Sequence, residues 1–337
     1  MTRHLPPAAF AACILFAVAL AGCGSDAPPA GGDHQATGVA RTSPALTAAE
    51  AEWRSERREG LLAEDGWTSL VGLHRLELRA HYVGNSATSG IRLGHGPEKL
   101  GLVQQEGGRV YFTPEKGVDV AVGDAPVRGR IEMHDALDAE PTELLFDDGM
   151  GRLSLITRGG QRALRVKHAE ASGRTGFGEL EYWPVDADWL VEARFEPHPA
   201  GRTIDIANIV GGIDPLPNPG AVEFSRDGVD YRLEAIDGED GGLFLIFADR
   251  TNGHASYGAG RYLDTAPPDA AGRVILNFNR AYNPPCAFTD FATCPLPPPE
   301  NRLELAVTAG EKAYAKPGST PRQAGDQAAD ADAGTGA

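Results

Sequence analysis

Basic side chains are in short supply: 31 Lys and Arg face 47 Asp and Glu, a formal net charge of −16 at pH 7. An acidic excess of that size repels phosphate backbones, and nucleic acid is excluded as a partner. Cysteine is rarer still, with four in 337 residues. No Cys-x-x-Cys pair and no His-Glu-x-x-His run occurs, and His95, His134, His168, His198 and His254 are scattered, so no metal site is predicted. Also missing are a Gly-x-Ser-x-Gly elbow, a Gly-x-Gly-x-x-Gly turn opening a helix and a Walker loop, and no cofactor is expected. Fixed-period repeats are absent, which disfavours a propeller or solenoid.

Apolar runs of membrane length are lacking too, and the one extended run, Ala8 to Leu20, has a particular setting. Arg3 and His4 precede it, and Leu20-Ala21-Gly22-Cys23 closes it with small residues and a thiol. Too short to cross a bilayer as a mature helix, it reads as a lipoprotein export signal over residues 1–22, cut before a lipidated Cys23. More than one acyl chain on that cysteine anchors a protein stably. Gly24, not an aspartate, follows Cys23, and the resemblance to proteobacterial lipoproteins implies an address at the outer membrane, periplasmic face, with the membrane as a partner through Cys23.

Residues 23–44 are rich in Gly, Ala, Pro, Ser and Thr and read as a flexible tether, and residues 316–337 as a disordered tail. Between them, 45–315 is expected to form a single β-rich domain. Cys286 and Cys294 are the only thiols left after processing, and in an oxidising compartment they are expected to pair as a disulfide.

The body opens with a helical signature. Thr47 and Glu50 have capping-box spacing, Trp53, Arg57 and Leu61 recur every four residues, and Asp65-Gly66 marks the exit. From Trp67 onward short alternating or apolar runs are punctuated by Gly, Pro, Asp and Asn, with hairpin turns expected at 158–161 and 226–228. Strands are predicted, among others, at 69–78, 109–113, 143–146, 152–157, 163–168, 178–183, 189–195, 221–225, 229–235, 242–248, 273–278 and 303–307. The fold class is mainly β, with antiparallel sheets forming a sandwich or open barrel and one N-terminal α-helix. Leu243 to Phe247 is apolar without alternation, as in a strand covered on both faces.

Polar side chains concentrate just after that strand. Asp249, Thr251, Tyr257, Arg261, Asn277, Asn279, Arg280 and Asn283 form the candidate ligand-binding set, on the expectation that both segments face one hollow. Asp249, His254, Tyr257 and Arg261 are the catalytic candidates if the protein is an enzyme. Turn chemistry and surface ion pairing are the competing explanation for the same residues.

The blocks Asn277 to Thr289, Ala292 to Pro298 and Asn301 to Leu303 resemble a bacterial and archaeal family known as domain of unknown function (DUF) family 1684. Trp53-Arg54, Gly66-Trp67, Leu70 to Leu73, Phe247 to Thr251 and Tyr257 to Arg261 also look like that family, so the resemblance spans about Trp53 to Lys312. It implies a β-leaning domain without an assigned reaction. An aspartate usually stands in that family where this chain has Asn277. Three functions stay open: binding of a small or extended polar ligand, a hydrolase-like activity around Asp249 to Asn283, and envelope assembly through the Pro-rich loop.

Overall fold

The structure is a computed structural model that describes residues 42–316. The export signal, Cys23 and its lipid, most of the tether and the tail beyond Lys316 lie outside the described residues.

The helix Pro44–Leu62 begins earlier than the Thr47–Glu50 spacing predicts. Ser43 is the cap: its hydroxyl accepts from the Leu46 amide at 3.1 Å, and Pro44 takes the first helical position, where a missing N–H costs nothing. Glu50 is therefore free of capping, and is buried at 1% exposure. Leu61 is buried on the same stripe, while Glu52, Glu56 and Glu59 face solvent as expected.

Mainly β structure follows, in mostly antiparallel sheets. In the first half one six-stranded sheet runs in the order Leu70–Arg75, Gln161–His168, Gly151–Arg158, Glu143–Phe146, Val120–Val122, Ala125–Pro126. A five-stranded sheet, Ile91–Arg92, Ala80–Gly84, Gly101–Glu106, Arg109–Pro114, Ile131–Met133, shares its core, in which Leu100, Phe112, Leu144, Leu153 and Leu164 are fully enclosed. In the second half Arg261–Thr265, Leu243–Phe247, Val229–Asp237, Gly220–Arg226, Leu190–Pro197 and Arg273–Asn277 form a sheet whose two outer strands approach each other, nearly closing a barrel. Phe278 fills this second core, edge-on to Trp189 and Phe247 at 5.7 Å. The β-rich body thus holds two hydrophobic cores, one in each half.

Both expected hairpins form. Asp227 and Gly228 have φ of 53° and 77°, and Gly159 and Gly160 have 53° and 73°, the left-handed values a two-residue turn between twisted strands requires. Leu243–Phe247 is covered on both faces: Leu243, Leu245 and Phe247 enter the barrel core, and Ile246 packs with Ile206, Ile236 and Tyr262.

Two predicted strands are not regular strands. Residues 178–183 contribute only a bridge from Tyr182 to Glu311, and 303–307 crosses the barrel as irregular chain. Leu303 and Val307 are nonetheless buried, so their apolar spacing recorded packing rather than a ladder. Ala80–Gly84, Gly101–Glu106, Ile213–Pro217 and Arg261–Thr265 were not predicted. Each carries glycine, proline or charge that weakens the strand pattern; Pro215 and Pro217 are tolerated because the hairpin Thr203–Ala207/Ile213–Pro217 is a sheet of two strands.

Candidate functional site

Asp249 follows the central strand and Arg261 opens the next, opposite Phe247 in register. Their side chains are paired, Arg261 Nη2 to Asp249 Oδ2 at 2.7 Å, and both are 0% exposed. Arg261 also donates to the carbonyls of Ala309 (2.5 Å) and Val307 (2.8 Å), and its guanidinium lies by the rings of Trp183 and Phe247. Asp249 Oδ1 accepts from the amides of Thr251 (2.8 Å) and Val307 (3.2 Å). Burial pulls the Arg261 guanidinium below its usual range, and the Asp249 carboxylate opposes that shift. Apart from Arg261 Nε, which has no partner, the pair spends its hydrogen-bonding capacity on the chain itself, pinning the crossing segment 307–311 to the barrel.

The neighbouring candidates are equally occupied. Thr251 and Ser256 share a hydroxyl hydrogen bond at 2.7 Å. His254 is exposed on that turn, and Tyr257 is half-buried against Leu61, Cys286 and Phe288, with burial raising its hydroxyl pKa. The asparagine-bearing segment packs beneath the helix. Asn277 donates to Glu50 at 2.8 Å, Arg280 Nε meets both Glu50 oxygens at 3.0 and 3.1 Å, and Asn279 is bracketed by the backbone of Asp186. Asn283 donates to the Lys312 carbonyl, and its own amide donates to Glu311, the carboxylate that also holds Arg57 at 3.0 Å. The expected shared hollow does not form. One group closes over residues 307–311, the other locks the helix down through Glu50, and neither Asp249 and Arg261 nor Asn277 and Asn279 lines the cleft nearby.

That cleft, about 480 Å³, lies where the helix, the first half and the barrel meet. Five rings, Trp53, Trp67, Phe244, Tyr262 and Tyr282, wall it. Phe244 and Tyr262 meet edge-to-face at 4.9 Å, as do Tyr262 and Tyr282 at 5.8 Å, so the barrel contributes a continuous aromatic surface. Both phenol hydroxyls are taken up by residues that line the cleft: Tyr262 donates to the Pro295 carbonyl and Tyr282 to Asp264 Oδ2. Burial raises both hydroxyl pKa values, keeping these donors protonated. Asp264 is itself pushed above the usual carboxyl range by desolvation, against the lowering effect of the Tyr282 hydrogen bond.

Residues 292–295 form another wall, and the disulfide Cys286–Cys294, with Cα atoms 6.1 Å apart, fastens them. The Cys294 carbonyl accepts from the Ile209 amide, tying this wall to the Thr203–Ala207/Ile213–Pro217 hairpin. Opposite stand Arg158 and Arg165. Ser154 pairs with Arg165 and Arg158 with Gln161, so the two arginines project from the same face of one hairpin. Among the described residues neither has a carboxylate within ion-pair distance. Arg165 lies 5.5 Å from the Trp67 ring, its buried Nε has no hydrogen-bond partner, and its pKa is lowered to about 10 by burial first and by Arg158 second, with Asp135 opposing. Sequence reasoning missed this set because its members are spread from Trp53 to Pro295, and only the Gly159-Gly160 turn beside Arg158 left a local signal.

Among the described residues, His95, His168 and Glu170 bring their ligand atoms within 4.8 Å of one another. His168 already spends Nε2 on Asp147 (3.0 Å) and Nδ1 on the Glu170 amide (3.1 Å). The imidazoles of His95 and His168 stack at 4.4 Å and 12°, so their in-plane lone pairs run side by side rather than toward one point. The trio serves packing better than metal ligation.

A search of curated proteins finds no match to this chain. Among solved structures, a solution NMR structure of an uncharacterised protein from Haloarcula marismortui shares 36% identity over 41% of this chain and 78% of its own, with a TM-score of 0.35. The model of a family described as protein of unknown function, DUF1684, matches residues 175–312. That span takes in the barrel, the aromatic wall and the disulfide loop, and through residues 175–312 the chain belongs to the DUF1684 family.

Proposed function

We propose that this protein is a lipid-anchored envelope protein, held through Cys23 at the periplasmic face of the outer membrane, that binds a small polar ligand in the cleft between its helix, its first half and its barrel. One observation carries the binding reading: a cavity of about 480 Å³ walled by five aromatic rings and lined by Arg158 and Arg165, which form no ion pair among the described residues. Cavities of roughly 300–1,000 Å³ with mostly apolar walls and a few placed polar groups are what small-molecule sites look like, and they favour junctions between packed units. The Cys286–Cys294 disulfide supports an oxidising compartment, in keeping with the export signal. A hydrolytic reading has less support, because Asp249 and Arg261 are enclosed and paired with each other and with the backbone of residues 307–309.

Two measurements test the proposal. Metabolic labelling with a palmitate analogue is expected to mark the full-length protein and to be lost in Cys23→Ser. A thermal-shift screen against envelope metabolites is expected to give saturable stabilisation that disappears in Thr293→Trp, which fills the cleft from its rim. A stabilising compound that acts equally on Thr293→Trp would place binding elsewhere.

A further inference from the structure

The chemistry of the cleft narrows its occupant, an inference that rests on the binding reading above. Its two polar sides differ. On the helix and barrel side, Glu56 is exposed, Arg57 is spent on Glu311 and the Asn283 carbonyl, and Asp264 holds the Tyr282 hydroxyl. On the hairpin side, Arg158 makes a single hydrogen bond, to the carbonyl of Thr157, and Arg165 makes none. Two guanidinium groups share one face of the hairpin, Arg158 raises the cost of charging Arg165, and Arg165 keeps a buried N–H without an acceptor. An arginine left in that state within a partly dry cleft is half of a charge-assisted contact; a carboxylate completes it with two parallel hydrogen bonds and relieves the repulsion.

The remaining surface states what the anion is attached to. The Tyr262 hydroxyl is taken up by the Pro295 carbonyl and the Tyr282 hydroxyl by Asp264 Oδ2, both at the cleft wall, so this side presents ring faces and edges with its phenol donors already used. A sugar requires many polar partners on several sides, whereas an unsaturated or alicyclic ring is satisfied by stacking and edge contacts alone. Trp67, beside Arg165 and 37% exposed, extends the same apolar surface next to the anion position. We propose that the cleft takes an organic carboxylate with an apolar ring as its body, the carboxylate on Arg165 and Arg158 and the ring on Trp67 and the Tyr262–Tyr282 wall.

Isothermal titration of the full-length mature protein with 2-naphthoate, its neutral counterpart 2-naphthalenemethanol, and inorganic phosphate tests this. Saturable binding of naphthoate is expected, with the alcohol and phosphate at least about tenfold weaker, since each lacks one of the two recognition elements. Arg165→Met is expected to weaken naphthoate about tenfold or more and to leave the alcohol unchanged, with a cooperative thermal melt showing that the variant folds. Equal binding of the alcohol and the acid, equal binding of phosphate, or indifference of naphthoate to Arg165→Met each overturns the assignment. Absence of naphthoate binding at millimolar concentration overturns it too. The cleft reading fails separately, if a ligand found in the metabolite screen is unaffected by Thr293→Trp.

Discussion

Arg261 and Arg165 are both arginines on strands, both set against aromatic rings, and both held below their usual pKa by burial. Arg261 meets a carboxylate at 2.7 Å and two backbone carbonyls, only its Nε stays unmatched, and its side chain is fully enclosed. Arg165 meets Trp67 and a like charge, and among the described residues its guanidinium has neither an ion pair nor a carbonyl acceptor. The contrast teaches that a dense run of polar residues in sequence marks where a fold satisfies itself, while a binding surface is recognised by what it leaves unsatisfied.

The largest expected effect breaks the Arg261 side. Asp249→Ala leaves a fully buried guanidinium without its counter-charge and frees the 307–311 crossing, and is expected to cost about 3–5 kcal/mol in denaturant unfolding. A loss under about 1 kcal/mol would mean that Arg261 is paired no more tightly than Arg165. Next in size, Arg165→Met keeps the long stem over Trp67 while removing the desolvated charge, and is expected to stabilise the unliganded protein by about 1 kcal/mol. Destabilisation by that variant would show Arg165 to be a structural cation like Arg261. Smallest is a pH effect at Asp264. Its folded-state pKa lies above the ordinary value of 3.8, so the folded form holds the proton more tightly than the unfolded chain. The stability this contributes is complete below that ordinary value and is lost as pH rises through the folded pKa. Asp264→Asn is expected to flatten that part of the stability profile, which melts recorded from acid to neutral pH will show.

Much of the architecture was legible because it depends on local rules. The Gly159-Gly160 and Asp227-Gly228 turns, the unalternating Leu243–Phe247 strand and the strand Arg273–Asn277 are all in place. Other local signals were overridden. Glu50 has the spacing of a cap, yet Ser43-Pro44 starts the helix first and releases Glu50 to take Asn277 and Arg280, partners 227 and 230 residues away in sequence. Leu303 and Val307 have strand spacing, but the Leu303 amide makes one bond to the Ala248 carbonyl and Val307 bonds the Asp249 and Arg261 side chains, so no ladder forms. The cleft was illegible for the same reason: Trp53, Arg165, Tyr262 and Cys294 come from four separate stretches, and no periodicity connects them.

By itself the sequence determined the class of structure, through side-chain alternation and turn residues whose φ values are set within a few positions, and it carried the pair of cysteines that staples residues 286–294. Tertiary structure decided which charges are spent and which are free. Asp249 and Arg261 are paired because the strands on either side of their loop run antiparallel, and Arg158 and Arg165 lie on one face of their hairpin because the register turns both toward the cleft, where no ion pair to a carboxylate forms among the described residues. Pairing is a matter of ångströms in three dimensions, and the order of residues along a chain does not specify those distances until the chain has folded.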